Sequence, residues 1–228
     1  MLKRAVIFAN GDLRDAKKIK VQIGAENFLI AADGGYQHLK ILGLTPNLVI
    51  GDLDSMQKSD VQQLQDDGVE LLRFPPEKNE TDLELSLLEA AARGYQDILI
   101  VAGLGWRLDQ TLGNLGLLKS PALANCHIKM DDGCVEVWNL IDSKYPEGLQ
   151  ILGKKGEVIS LLAFSSIVKG IITEGLKYPL AGEDLSPFQT RGISNEMLGT
   201  TAKVSLSQGE LIVIHTRLGK RCFNKLEV

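Results

Sequence analysis

Four short apolar runs, residues 5–9, 28–32, 48–50 and 98–102, constrain what this chain can fold into more than anything else in it. None alternates apolar with polar residues. Each therefore reads as a strand buried on both faces, which is the pattern of a parallel sheet. Amphipathic stretches around these runs predict helices over 13–23, 36–42, 59–67 and 82–93. The last is the clearest: Thr81-x-x-Glu84 is a capping box, Leu83, Leu87 and Ala91 recur every four residues, and Gly94 ends it. Strand–helix alternation of this kind predicts a doubly wound sheet. Beyond about residue 149 the pattern changes. Strands are predicted over 157–164, 168–174, 202–207 and 210–215 with no helices between them, and Ser207-Gln208-Gly209-Glu210 reads as a hairpin turn. Residues 178–199 read as loop. The expected fold class is α/β: an N-terminal doubly wound parallel-sheet domain, residues 1–145, then a smaller all-β, sandwich-like domain, residues 146–228. The boundary falls near Tyr145-Pro146-Glu147-Gly148.

Composition removes several functions. Across 228 residues, 25 Lys+Arg against 29 Asp+Glu give a net charge of −4, the wrong sign for a partner of nucleic acid. Aromatic residues at 5% are too few for a base-stacking platform along a strand of nucleic acid. Cys126, Cys134 and Cys222 are odd in number and lack a Cys-x-x-Cys pair, so neither a disulfide framework nor a structural zinc site is expected, and a reducing, cytoplasmic setting is. The apolar run after Lys3-Arg4 is too short for a signal peptide, and no stretch approaches the roughly 20 apolar residues of a membrane span.

The chemistry lies at the carboxyl ends of the strands. The runs end in Asn10-Gly11-Asp12, Asp33-Gly34-Gly35, Gly51-Asp52-Leu53-Asp54-Ser55 and Gly103-Leu104-Gly105-Trp106-Arg107-Leu108-Asp109. In an open parallel sheet such ends line one crevice, where ligands bind. Acids gathered there repel phosphate unless Mg²⁺ intervenes, and that ion takes one or two carboxylates together with waters and phosphate oxygens. An isolated Asp after a strand, such as Asp12, is equally a helix cap. The Asp52-x-Asp54 pair exceeds what one cap needs. Thr81 reads as a cap and Asp82 as a first-turn acid complementing the helix dipole, or as part of the site. Lys78 and Arg107 are the cations placed to meet phosphate, Arg107 with a planar fork suited to bidentate contact. Two near-motifs fail. The segment Gly148 to Lys154 resembles a P-loop, but Lys155 stands where Ser or Thr must hold Mg²⁺, and Gly103-x-Gly105 lacks the third glycine of a dinucleotide fingerprint. His38, His127 and His215 lie outside every motif and read as surface or partly packed residues. The residues alone describe a metal-assisted polyphosphate site without naming an acceptor.

Ala32-Asp33-Gly34-Gly35, Gly51-Asp52-Leu53-Asp54-Ser55, Thr81-Asp82-Leu83-Glu84 and Arg107-Leu108-Asp109 with Asn114 resemble, in order, the motifs of the thiamine pyrophosphokinase family. Gly175-Leu176-Lys177-Tyr178-Pro179-Leu180 and Gly192-Ile193-Ser194-Asn195-Glu196 resemble that family's thiamine-side motifs. The resemblance implies pyrophosphoryl transfer from ATP to the thiamine hydroxyl, releasing AMP. It also implies a homodimer with active sites at the subunit interface. It assigns Asp33, Gly34, Ser55, Lys78, Thr81 and Arg107 to ATP, and Asp52 and Asp54 to Mg²⁺. Catalytic roles fall to Asp82, Asp109 and Arg107, and contacts with thiamine to Tyr178, Ser194 and Asn195. Thiamine is a cation, so an acidic crevice and the face of Tyr178 suit it. This chain departs from the family pattern at Trp106, where a glycine is common, and at Gln110, where a histidine is common. Three other readings stay open: a pyrophosphokinase acting on a pterin alcohol, a non-catalytic thiamine or nucleotide sensor, and a metal-dependent nucleotide hydrolase.

Overall fold

A computed structural model describes residues 3–54, 56–164, 166–219 and 222. It divides into two compact units, Met1–Gly133 and Cys134–Val228.

In the first unit, six strands run in parallel: β1 (Arg4–Phe8), β2 (Phe28–Ala32), β3 (Leu48–Gly51), β4 (Glu70–Arg73), β5 (Asp97–Val101) and β6 (His127–Asp131). Their order is β4-β3-β2-β1-β5-β6. The helices are α1 (Ala16–Lys20), α2 (Tyr36–Leu42), α3 (Lys58–Asp66), α4 (Asp82–Ala92) and α5 (Leu108–Leu117). β1, β2, β3 and β5 are buried on both faces apart from the first residue of three of them, as their unbroken apolar runs require. One core joins Val6 and Phe8 to Leu29, Leu39, Val49, Leu64, Leu99 and Val101. At the start of α4, Thr81 Oγ1 accepts the Glu84 N–H at 3.2 Å, the cap read from the sequence.

Three elements of this unit carry little sequence signal. β4 is an edge strand whose four residues are all partly or largely exposed. The helix α5 buries only Asn114 and is interrupted in sequence by Gly113 and Gly116, and its Leu108, Leu112 and Leu115 are left partly or largely exposed. β6 has partly exposed residues at its first and third positions.

The second unit contains β7 (Val135–Ile141), β8 (Leu149–Leu152), β9 (Val158–Ala163), β10 (Val168–Glu174), β11 (Ala181–Leu185), β12 (Asn195–Glu196), β13 (Thr201–Ser205) and β14 (Glu210–Thr216). They form two antiparallel layers, β12-β9-β14-β7 and β11-β10-β13-β8. Trp138, Leu140, Ile159, Leu161, Leu211 and Val213 from one layer pack with Ile151, Val168, Ile171, Ala202 and Val204 from the other, giving the expected sandwich.

Several expectations change. The boundary lies at Gly133/Cys134 and not at 145/146, because β7 pairs along its whole length with β14 and so joins the second unit. Gln208 and Gly209 do not close a hairpin, since β13 and β14 belong to different layers and the chain crosses between them there. β8 occupies the P-loop-like segment. β11 forms inside the expected loop despite an exposed, acidic sequence. Cys134 and Cys222 are disulfide-linked, contrary to the reading from cysteine count. The antiparallel β7–β14 register brings the chain after Thr216 back beside Cys134, whose carbonyl accepts the Arg217 N–H at 2.9 Å. His215 is fully buried, not at the surface. Its strand is flanked by β7 and β9, and its ring nitrogens sit 2.9 Å from Glu136 Oε2 and 2.9 Å from Glu157 Oε2.

Two glycines test the packing. A Cβ on Gly35 would come 1.9 Å from the Phe8 carbonyl oxygen on β1, whereas one on Gly43, with φ of 65° at the end of α2, would meet nothing within 4 Å. Gly35→Ala is expected to cost about 3 kcal/mol, the upper end for overpacking, and Gly43→Ala only about 1 kcal/mol of left-handed strain. Urea denaturation midpoints at constant m value check the difference.

Candidate functional site

The sheet order places the topological switch between β1 and β5, since the chain leaves β1 toward β2 on one side while β5 and β6 extend the other. Their carboxyl-end loops are tied together. The Gly11 N–H donates to the Ala102 carbonyl at 2.8 Å, and the Asp12 N–H to the Leu104 carbonyl at 2.7 Å. The approach demands glycine: a Cβ on Gly11 would lie 2.3 Å from the Leu104 oxygen and 2.4 Å from the Ala102 oxygen. From the other side α5 holds the turn, with Thr111 Oγ1 3.2 Å from both the N–H and the carbonyl of Gly105, and Asn114 Nδ2 donating to the Gly103 carbonyl at 2.7 Å.

Over this junction opens a cavity of about 650 Å³, within the range of small-ligand sites. Asp33, Asp52, Lys78, Thr81, Asp82 and Arg107 line it. Residues that the sequence reading drew from four separate segments thus meet at one cavity. That reading missed Asn10, Gly11, Leu104 and Thr111, which also line the cavity. Asn10 and Gly11 were legible only as a strand end, and Thr111 lies in α5, a helix that Gly113 and Gly116 concealed.

Other expected residues sit differently. Gly34 is buried behind the cavity wall, where its missing side chain leaves room for Asn10, to which a Cβ would approach within 2.5 Å. Asp54 is exposed and outside the lining, with its N–H donating to Asp52 Oδ1 at 2.9 Å. Asp109 lines a neighbouring hollow of about 180 Å³ with Thr81, Gln110 and Asn114. Ser55 lies outside the described residues.

Both candidate cations are already paired. Lys78 Nζ, in the loop before α4, donates to Asp82 Oδ1 at 2.6 Å. Arg107 grips both carboxylate oxygens of Asp109, with Nε donating at 3.1 Å to Oδ1 and the second contact running from an Nη to Oδ2. The Arg107 guanidinium holds the Asp109 carboxyl below the usual carboxylate range, aided by backbone N–H donors, and Asp109 in turn raises Arg107. A carboxylate so stabilised is a weaker base.

The backbone at the site is strained. Asp33, Leu53 and Ala102, at the ends of β2, β3 and β5, have φ of 42°, 64° and 55°. Ser194 of the second unit, with φ of 61°, completes the set of non-glycine residues in this region among those described. Such conformations persist where surrounding structure over-determines them, which is characteristic of functional sites.

The donor set suits Mg²⁺. Hard carboxylate oxygens on Asp33, Asp52 and Asp82 face an open cavity, and among the described residues no three acids, histidines or cysteines gather into a closed protein cage. Magnesium needs only one or two such carboxylates, with waters and phosphate completing its shell.

In the second unit the two thiamine-side motifs do meet. Asn195 Oδ1 accepts the Tyr178 N–H at 3.0 Å and the Glu196 N–H at 2.9 Å, while its Nδ2 donates to the Tyr178 carbonyl at 2.7 Å. Asn195 is buried and its amide is spent on the backbone. The Tyr178 ring and Ser194 are exposed, and Lys177 Nζ lies 5.3 Å from the ring centroid.

His38, another residue that sequence reasoning left out, has Nε2 3.0 Å from the Gly11 carbonyl oxygen, so this nitrogen carries the proton. Burial pushes its pKa below the ordinary imidazole value, while the Gly11 carbonyl and the Asp12 charge act in the opposite direction. The unfolded chain binds the more protons between the two pKa values, so this contribution is complete above about pH 6.5 and is lost as the pH falls below it. The urea midpoint should drop between pH 7 and pH 5, and His38→Asn should make the drop smaller.

A doubly wound sheet with a polyphosphate-suited crevice at its switch point, followed by a β-sandwich, defines a two-unit nucleotide-binding α/β protein. Residues 20–130 match the thiamin pyrophosphokinase catalytic domain and residues 143–211 the thiamin pyrophosphokinase vitamin B1 binding domain. Thiamine pyrophosphokinase of Bacillus subtilis (strain 168) is 29% identical over 190 residues, covering 82% of this chain and 86% of that protein. The crystal structure of the Bacillus subtilis enzyme superposes with a TM-score of 0.82 at 26% identity, over 94% of this chain and 99% of that one. The Candida albicans enzyme shares the fold, with a TM-score of 0.74 at 14% identity over 94% and 89% of the two chains. The chain belongs to the thiamin pyrophosphokinase family.

Proposed function

We propose that this chain catalyses transfer of a pyrophosphoryl group from ATP to the hydroxyl of thiamine. The observation that carries the reading is the switch-point cavity, which gathers carboxylates and two cations in a chain that matches both domains of the family. The thiamine hydroxyl oxygen bonds to the β-phosphorus of ATP. The bond from that phosphorus to the bridging oxygen breaks, AMP leaves with that oxygen, and the hydroxyl proton passes to a carboxylate or to water.

Asp52 would hold Mg²⁺ from the cavity wall it shares with Asp33 and Asp82, and Asp54, on the exposed turn beside it, would complete the pair from outside that wall. When bound, the ion neutralises the charge of the phosphates and polarises the β-phosphoryl group. Lys78 and Arg107 exchange their carboxylate partners for phosphate oxygens, which leaves Asp82 free of its cation. Asp82 is then the carboxylate suited to orient the acceptor hydroxyl. Asp109, the weaker base, aligns the guanidinium of Arg107 instead. Thr81 combines capping with a place on the cavity wall. Gly34 acts by letting Asn10 pack. On the acceptor side, the Tyr178 ring and Ser194 contact thiamine, and Asn195 orders the loop that presents them. The protein mainly aligns the reactants and offsets charge. A homodimer and a cytoplasmic setting belong to the same reading; the Cys134–Cys222 link is the observation that weighs against a reducing compartment.

A mass-resolved product assay with ATP, Mg²⁺ and thiamine tests the proposal. Thiamine diphosphate and AMP should appear together, and AMP should not form without thiamine. AMP formed equally in its absence would mean a hydrolase, whereas thiamine binding with no product would mean a sensor. Asp52→Asn should lower kcat by about 100-fold, as loss of a charge-stabilising group in an active site does, with partial recovery at high Mg²⁺. Lys78→Met should raise the KM for ATP about tenfold, the loss of one charge-assisted contact, while leaving the KM for thiamine within about twofold.

A further inference from the structure

We infer that Trp106 is the surface on which the purine ring of the nucleotide stacks, a binding role that rests on the cavity being the ATP site. Trp106 is 86% exposed, yet it lines the cavity and is the sole aromatic residue among those that do. Neither buried core cluster includes it. An indole left this open contributes little to folding, and its place in the cavity lining gives it a flat face to offer a ligand.

Its mounting is rigid. On one side Gly105 is fixed through both backbone groups by the Thr111 hydroxyl, and a Cβ there would sit 3.4 Å from the Gly11 Cα and the Asp12 nitrogen. On the other side Arg107 is the N-cap of α5 and is held by Asp109. The indole therefore stands on the rim of the switch point, next to the guanidinium assigned to phosphate.

Charge divides the cavity. Asp33, Asp52, Lys78, Asp82 and Arg107 suit the phosphates and their metal but offer a neutral base no flat surface. Indole supplies one, and base–aromatic stacking tolerates any base because each has a π-face. In the second unit Phe164, Tyr178 and Phe188 are exposed aromatic residues, but none of them lines the cavity, and Tyr178 is already assigned to the acceptor. Trp106 is left for the purine.

The chain has two tryptophans, and Trp138 is buried in the sandwich core, so ligand-induced emission changes can be assigned by comparing the wild type with Trp106→Phe. AMP or ATP should quench the emission and protect it from acrylamide, and Trp106→Phe should abolish that change while retaining nucleotide binding. In Trp106→Gly the Kd for ATP should rise roughly tenfold, within the usual range for a lost stacking partner, with the KM for thiamine little altered. Equilibrium dialysis with labelled ATP separates the two levels of failure. If ATP binds but the emission of the wild type does not move, Trp106 has no such role and the proposed function still stands. If ATP does not bind at all, the function itself falls, and the stacking role with it. Quenching by thiamine alone, or an emission that shifts with protein concentration without ligand, would assign the indole to the acceptor or to a second copy and overturn the inference.

Discussion

The first unit is organised around the close contact between the loops that leave β1 and β5. Gly11 and Leu104 approach so nearly that no side chain fits between them, and the hydrogen bonds from Gly11 and Asp12 replace the sheet ladder where the strands have ended. That contact closes the floor of the cavity. It turns Gly103 to Arg107 toward the cavity, and it makes α5 necessary, because Thr111 and Asn114 satisfy backbone groups of Gly105 and Gly103 that the turn would leave without partners. This explains why the inner face of α5 carries Thr111 and Asn114 while its leucines point elsewhere: that face serves a loop rather than a hydrophobic core.

The same junction accounts for the electrostatics of the site. Each cation stands beside an acid, Lys78 with Asp82 and Arg107 with Asp109, at sequence spacings that make the pairing local. The Arg107–Asp109 pair is exposed and contributes little to stability. Both pairs hold long side chains extended at the site and let a dense set of acids stand together without strong repulsion.

In the second unit the motif loops are ordered by a buried amide together with backbone bonds, the Lys177 N–H donating to the Glu196 carbonyl and the Leu198 N–H to the Gly175 carbonyl, each at 2.9 Å. Asn195 joins the turn at Tyr178 to the short strand β12, so the Tyr178 ring and Ser194 are presented from a fixed frame. The buried His215 with Glu136 and Glu157 ties β14 to residues on both sides of it, with Arg217 adding a contact to Glu136 at 2.6 Å. It is a polar core element that specifies the register of that sheet.

Unbroken apolar runs were enough to reveal the parallel strands, because burial on both faces leaves no other composition available at 5–9, 28–32, 48–50 and 98–102. The acids and glycines at their ends pointed to the cavity for the same reason: a chain leaving a buried strand must turn at once, and several of those turn residues line the cavity. What the sequence by itself could not decide depended on partners far along the chain. Whether residues 135–141 belonged to the first or second unit was settled by pairing with β14. That Asn195 would be spent on backbone, and that Cys134 would meet Cys222, came from registers that local patterns do not encode. Trp106 shows both limits together. Its place after the glycine turn was plain from the sequence, but only the tertiary structure left it bare on the rim of the cavity, since exposure is a property of everything else that folds around a residue.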